Sequence, residues 1–493
     1  MKKKLLYLAI IPLLISACND NNASSSFSSL PISSNNSSSE ISNISSEEKS
    51  SSEQRDRSSD AKESSEEEKP VPENHYRISF DSILLTNEDS KPIKIKYDIP
   101  DNYLSFNHPS STFKKELALT ALAFVSAAPT VEGVQDIYTH YGFDDLFISD
   151  DYALEEYAET VKFTIGHKKN DDVNIVNLSI SGYQYAKPWE SNLTVGINGE
   201  HSGFYKGAFK VFPSIITYLK KYQGDERTVL FINGYSRSAA IANVLSGMLI
   251  ENKIIEEKDL YVYSFETPCG FSDYNTHDYV SVFNIVNSAD LVTHVAPKAY
   301  NLIRVGHDIE LYKDNADAII NEFNKNLVLP KFTPTTGDSG YSSDEEFVQF
   351  IISTLLEPVA TEGLETPSKD ISTRENFYKN LQGDITYLAG FIFGLSKEVT
   401  DDIMNKFKGK STGELLAFLK KDALYDFIKD ILKDHQVSYE EEKLRDALNS
   451  LVYLLEQKPK LLLIIASSDG RNNLMRSIYF HTLEAVLPLL INL

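Results

Sequence analysis

The stretch Leu230–Ala240, LFINGYSRSAA, decides how this 493-residue chain is read. An apolar run ends in Gly-Tyr-Ser-Arg-Ser and passes at once into small helix-forming residues. With its flanks included, RTVLFIN is a buried-strand pattern and SAAIANVLSGML is the start of a helix. Gly234 supplies a residue without a Cβ at the turn. Strand, tight turn and helix, with Ser236 at the tip, is the context of a nucleophile elbow, which holds a serine hydroxyl exposed. The usual spacing is G-x-S-x-G, and here the last position is Ser238. That position demands smallness, because the helix must pass close to the neighbouring strand. An ordinary strand-to-helix turn has the same outline, so the rest of the chain must decide.

Working outward, apolar runs with β-branched residues alternate with helical patterns from Val173 to Pro297. VNIVNLSIS, RTVLFIN, LYVYSF and VSVFNIVN are the runs; GAFKVFPSIITYLKKY and SAAIANVLSGMLIENK lie between them with helical spacing. Such alternation predicts an α/β fold, a mostly parallel sheet with helices on both faces. Before it, from His75 to about Lys168, short strands (RISFDSILL, IKIKYDI) precede helical stretches (TFKKELALTALAFVSAA, VEGVQDIYTHYG). From about Gly306 to Gly470 the character is helical. Ser372 with Glu375, Ser411 with Glu414 and Ser438 with Glu441 each have the spacing of a capping box. ITYLAGFIFGL is apolar nearly all round, which predicts burial against the core or an acyl channel, whereas KLLLIIASS fits helix or strand.

The first residues, MKKKLLYLAIIPLLISAC, read as an export signal: three lysines, then an apolar run from Leu5 to Ile15. A spanning helix needs about 20 apolar residues, and this run is too short. Ile15-Ser16-Ala17-Cys18 resembles a bacterial lipobox, in which Cys18 would receive a diacylglycerol anchor. A plain secretory signal with an incidental cysteine is the alternative. Residues 18–70 are rich in Ser, Asn, Glu and Lys, with too little apolar surface to offset ordering, and are expected to form a disordered tether. The formal net charge of −23 argues against a nucleic-acid partner. With only Cys18 and Cys269, no disulfide staples the folded part. No zinc, calcium or phosphate-loop spacing is present, so neither a metal nor a cofactor is expected.

Several blocks in order resemble those of bacterial class 3 lipase-like proteins of the α/β-hydrolase fold, related to the fungal triacylglycerol lipases. YGFDD and VKFTIGHKK are similar to the segments before the core. ISGYQYAKPWESNLTVGINGEHSGFYKGAFKV resembles R-G-x…E-W-x-S-N…H-x-G-F, with Ser181 where the arginine usually stands. NGYSRSAAIANVL resembles the elbow G-[HY]-S-[LR]-G-[GA]-A. YSFETPCG resembles Y-T-F-[GA]-x-P-R, with Cys269 for the arginine, and VFNIVNSADLVTHVAP is similar to the segment that ends in the catalytic aspartate. His481 opens a block like H-x-x-E-x-Y, with Val486 for the tyrosine.

The resemblance implies Ser236 as nucleophile and Asp290 as the acid that orients the base. Asp290 alone reads equally as a turn-capping residue. The expected order of nucleophile, acid and histidine leaves His294, His307, His435 and His481. His294 lies only four residues beyond Asp290, a short reach, and His435 falls between two polar helices. His481 is preferred as the base and His307 comes next. An oxyanion hole is expected from the backbone N–H of Arg237 and from Gly182 or Tyr183, although SGY is also an ordinary turn. The implied organisation is a signal over 1–17, a tether over 18–70, a hydrolase domain over 71–305 and 471–493, and a helical insertion or lid over 306–470, between acid and histidine. The implied activity is hydrolysis of an acyl ester or lipid by a Ser-Asp-His triad, on a protein lipid-anchored at the outer face of a bacterial membrane. The alternative is a surface-binding lipoprotein that keeps the fold without the chemistry, supported by the departures at Ser181, Ser238 and Cys269.

Overall fold

A computed structural model describes residues 70–86, 92–100, 104–154, 160–170, 172–182, 201–224, 226–272, 277–295, 302–311, 315–326, 343–353, 412–420, 422–457 and 479–493. Isolated positions between 384 and 406, with Asn473, Arg476 and Ser477, are also described. Cys18 and its tether, Tyr183, Ser372, Ser411 and the run 460–468 lie outside the described residues. Among the described residues, no helix is long and apolar enough to cross a membrane.

The chain opens with a hairpin of β1 (His75–Thr86) and β2 (Pro92–Pro100), paired antiparallel as a separate two-stranded sheet. Helices α1 (Lys115–Ala127) and α2 (Val131–His140) follow. Thr130 starts α2 by accepting from the Gly133 N–H. The main strands are β3 (Asp145–Ile148), β4 (Phe163–Asn170), β5 (Val173–Ile180), β6 (Arg227–Tyr235), β7 (Leu260–Phe265), β9 (Val282–Val286) and β11 (His307–Glu310). The two-residue strands β8 (Phe271–Ser272) and β10 (Leu302–Ile303) pair with each other. Helix α3 (Ser202–Tyr222) joins β5 to β6, and α4 (Arg237–Glu251) joins β6 to β7. The seven main strands form one sheet in the order β11-β9-β7-β6-β5-β4-β3. From β5 to β11 the pairing is parallel; β3 and β4 add an antiparallel edge.

Period-two alternation sends the apolar residues of the central strands to both faces of the sheet. In β6, Val229, Phe231 and Tyr235 enter the core on one face, while Leu230 and Ile232 enter the core on the other. In β7, Tyr261, Tyr263 and Phe265 alternate in the same way with Leu260 and Val262. One face is covered by α3 and α4 through Val211, Ile215, Leu219, Ile241 and Leu245. The opposite face is covered by α1 and by α10 (Leu483–Ile491). Because both faces are buried, both are mainly apolar, and a polar residue among them is paired where Asn233 donates to Asn177 at 2.8 Å. Each such side chain contributes roughly 1.5–3 kcal/mol on burial.

The boundary expected at residue 306 is not where the sheet ends. β11 lies beyond it and pairs with β9, and α5 (Ala316–Asn326) packs on α10 and contributes Ile320 to the main core. β11 escaped the sequence because HDIE is a short edge strand without an apolar run. Farther on come α6 (Asp344–Ile351), α7 (Thr412–Ala417), α8 (Ala423–Asp434) and α9 (Glu441–Gln457). Helix α9 starts at Glu441, so Ser438 stands too far upstream to be its cap. Ser343 does cap α6, accepting from the Glu346 N–H at 3.1 Å. Leu388 and Leu395 of ITYLAGFIFGL are buried with Ile431 and Leu444 in a small core of their own, rather than against the main sheet. Leu451 touches both cores.

Candidate active site

At the C-terminal end of β6 the chain reverses through Ser236, which has φ 56° and ψ −126°. Positive φ is costly for a residue with a side chain, so this turn survives only because its surroundings impose it. The Ser236 N–H donates to the Phe265 carbonyl at 2.9 Å, holding the turn against the end of β7. Behind it, Ser238 Oγ accepts from the Tyr235 N–H at 2.9 Å and donates to the Tyr235 carbonyl at 2.8 Å. The serine at the position usually held by glycine therefore fits, and it staples the turn. Gly234 is required where α4 crosses: a Cβ there would meet the Ser238 carbonyl oxygen at 2.6 Å. Gly182 is equally close from the other side, since its Cβ would lie 2.0 Å from the Tyr235 carbonyl oxygen. Gly182 thus abuts the elbow, and the Arg237 N–H opens α4 beside it.

His481 is brought to this turn from the far end of the chain. It precedes α10, which is buried on nearly all sides by Leu483, Val486, Leu487 and Leu490 and packs against α1 and α5. Val486, where a tyrosine was expected, is one of these fully buried residues. The Tyr235 hydroxyl donates to the His481 carbonyl, and the two rings stack at 5.4 Å. Ser82 of β1 donates to Glu484 at 2.5 Å, tying the N-terminal hairpin to the same helix.

The three side chains singled out in the sequence form one hydrogen-bonded line. Ser236 Oγ lies 2.8 Å from His481 Nε2, and His481 Nδ1 lies 2.6 Å from Asp290 Oδ2. All three are buried. Asp290 follows β9, and its second oxygen accepts from the Val292 N–H at 2.8 Å. That leaves one carboxylate oxygen directed at the imidazole. The alternative base His307 is exposed on edge strand β11, away from this line. The His294 ring faces the Ser288 carbonyl at 3.4 Å, and burial followed by the Arg304 cation lowers its pKa. His435 bonds to Asp402 among the helices.

One departure from the family pattern finds a physical explanation here. Cys269 replaces the arginine, yet a guanidinium still reaches this place, because Arg304 lies 3.6 Å from Cys269 Sγ and donates to the Thr267 and Thr293 carbonyls. The Arg237 side chain is buried and donates to the Thr160 carbonyl at 3.2 Å, and burial lowers its pKa to about 10.

One residue of the site was missed in the sequence. Glu266 is completely buried, and its backbone has φ 47°. Glu266, Asp290 and His481 each bring one ligand-type atom within 4.8 Å of the others. Such a trio can bind a metal ion, but here both ring nitrogens of His481 are already engaged by Ser236 and Asp290. Burial and then the neighbouring Asp290 carboxylate raise the Glu266 pKa well above the ordinary carboxylate range. The departure was visible in the sequence, since the pattern Y-T-F-[GA]-x-P-R has Gly or Ala where Glu266 stands.

A mostly parallel sheet covered on both faces, with a serine at a positive-φ strand-to-helix turn, defines an α/β-hydrolase. Residues 153–300 of the protein match the family model of the class 3 lipases. The solved structures it is similar to include the lipase of Rhizopus microsporus var. chinensis, at 16% identity over 44% of this chain and 82% of that one, with TM-score 0.30. The Rhizomucor miehei lipase–propeptide complex aligns at 16% identity over 41% and 71%, with TM-score 0.30. A triacylglycerol lipase from Penicillium expansum aligns at 13% identity over 40% and 80%, with TM-score 0.27. No curated protein matches the chain.

Proposed function

We propose that this protein hydrolyses acyl esters through Ser236, His481 and Asp290. The observation that carries the reading is the unbroken relay from Ser236 Oγ through both nitrogens of His481 to Asp290 Oδ2, on a strained serine. Ser236 attacks the ester carbonyl while His481 Nε2 takes its proton, and Asp290 stabilises the imidazolium. The tetrahedral oxyanion accepts from the Arg237 N–H and from a second donor in the turn at Gly182 and Tyr183. Collapse expels the alcohol, which takes the proton from His481. Water then releases the acid by the same steps in reverse order.

The substrate class is an ester of a carboxylic acid, and a fatty acyl chain suits a lipase-like protein. We also propose that Cys18 carries a lipid anchor and that residues 18–70 hold the enzyme at the outer face of a bacterial membrane. The lipobox-like ISAC and the polar composition of that segment support this reading.

Hydrolysis of p-nitrophenyl esters tests the chemistry. Ser236→Ala and His481→Ala should each abolish nearly all turnover, and the double variant should be little worse than either, because members of a unit are not additive. Near-normal turnover in His481→Ala would refute the relay.

A further inference from the structure

The relay does not use Glu266, although this carboxyl group is buried against Asp290. It is 0% exposed at the C-terminal end of β7. Oε2 accepts from the Asn287 N–H at 3.1 Å, and the backbone N–H of Glu266 itself donates to the Ile285 carbonyl at 2.8 Å. Oε1 is buried and receives no donor. The groups that face this carboxyl are Asp290 and His481 from the relay, Glu310 on β11 and Arg304 just before it. Two carboxyl groups so close and so deeply buried cannot both be ionised at moderate cost, so the pair holds a proton. Asp290 is the better place for the negative charge, because it faces the imidazole N–H and the Val292 N–H. The proton therefore belongs to Glu266, on the oxygen that has no donor. The backbone at this position carries φ 47°, a strain that Gly would avoid.

We infer that Glu266 is a positioning residue for the proposed reaction: its carboxyl O–H donates to Asp290, while its carbonyl oxygen is held by the Asn287 N–H. This fixes the rotation of the Asp290 carboxylate, so that Oδ2 stays in line with His481 Nδ1 as the imidazolium forms. The inference rests on the relay described above, but the state of the Glu266 proton is measurable without turnover.

Glutamine reproduces the arrangement, since its carbonyl oxygen can accept from Asn287 and its NH2 can donate to Asp290. Alanine can do neither. In Glu266→Ala, kcat/KM should fall about tenfold with KM little moved, the scale of one hydrogen bond to a charged group. The acidic limb of its pH–rate profile should move upward, because Asp290 loses a donor and His481 becomes more basic. Glu266→Gln should restore the rate to within about threefold and return the limb to the wild-type position. An ionised Glu266 predicts the opposite: Gln would remove a negative charge beside His481, and the limb would fall. That result, or an unchanged rate and profile in the Ala variant, would overturn the inference. Difference infrared spectroscopy of wild type against Glu266→Gln reads the proton directly, whether or not the protein turns over any ester. The carbonyl band of a protonated carboxyl should be present near pH 7 in the wild type and absent from the variant. Its absence from the wild type refutes the inference, whereas its presence in a protein inert to esters would refute only the relay.

Discussion

Replacement of Gly182 by alanine tests how closely this residue is built against the elbow. The added Cβ would lie 2.0 Å from the Tyr235 carbonyl oxygen and 2.5 Å from Ser238 Oγ. Ordinary contact begins at 3.4 Å, so the two backbones must part by about 1.4 Å. Neither side gives way cheaply. Tyr235 is paired to Phe265 of β7 and bonded to Ser238, and Ile180, two residues before Gly182, is paired to Gly234. Overpacking of this kind costs roughly 1–3 kcal/mol. For a domain of this size, that converts to a drop of about 2–12 °C in Tm. The effect on rate should be larger than the effect on stability. A displacement of about 1 Å at a reacting centre costs on the order of a hundredfold, and Gly182 is one proposed source of the second oxyanion donor. Thermal melts followed by circular dichroism give the first quantity, and steady-state hydrolysis of p-nitrophenyl butyrate by the folded variant gives the second. Gly182→Ala with wild-type Tm and wild-type kcat would refute the placement of Gly182 against the elbow.

Other outcomes follow from single contacts. Tyr235→Phe removes the donor to the His481 carbonyl and should cost about 1–3 kcal/mol in denaturant unfolding, with kcat reduced and KM nearly constant; an unchanged unfolding midpoint would contradict this. A buried carboxyl whose folded pKa is raised binds its proton more tightly in the folded state, so it costs stability as pH rises above the ordinary carboxylate range. Glu266→Gln should therefore gain on the wild type by up to about 1.4 kcal/mol per pH unit above that range, until the folded Glu266 itself ionises. A stability difference independent of pH between 4 and 8 would show that Glu266 is not held neutral. Cys18→Ser should move the protein from the membrane fraction to the soluble one, and unchanged partitioning would remove the proposed anchor.

What could be read from the sequence divides along physical lines. The elbow was legible because it is local: β6 alternates between two buried faces, the turn needs Gly234, and α4 begins at once. The order of nucleophile, acid and base left four histidines, and the resemblance of the C-terminal block favoured His481, which the structure brings to Ser236 by docking a mostly apolar helix. Glu266 was not legible as a partner of Asp290, because a single glutamate after an apolar strand carries no periodic signal. Its burial depends on β9 and β11 closing over it. β11 was missed because an exposed edge strand need not be apolar. The Ser343 cap was overlooked and the Ser438 box misread because a capping pattern shows where a helix is able to start, while packing decides where it does. The tie between Ser82 and Glu484 joins residues at opposite ends of the folded part, and neither end foretells the other.

The central claim is that Ser236 is an activated nucleophile, and the most direct measurement is labelling with a fluorophosphonate followed by intact-mass analysis. The wild-type protein should gain the mass of one phosphonyl group, mapped to the peptide that contains Ser236. Labelling should fall steeply in His481→Ala and vanish in Ser236→Ala. A folded wild-type protein that takes up no label, or a label that persists at the same rate in Ser236→Ala, would contradict the account.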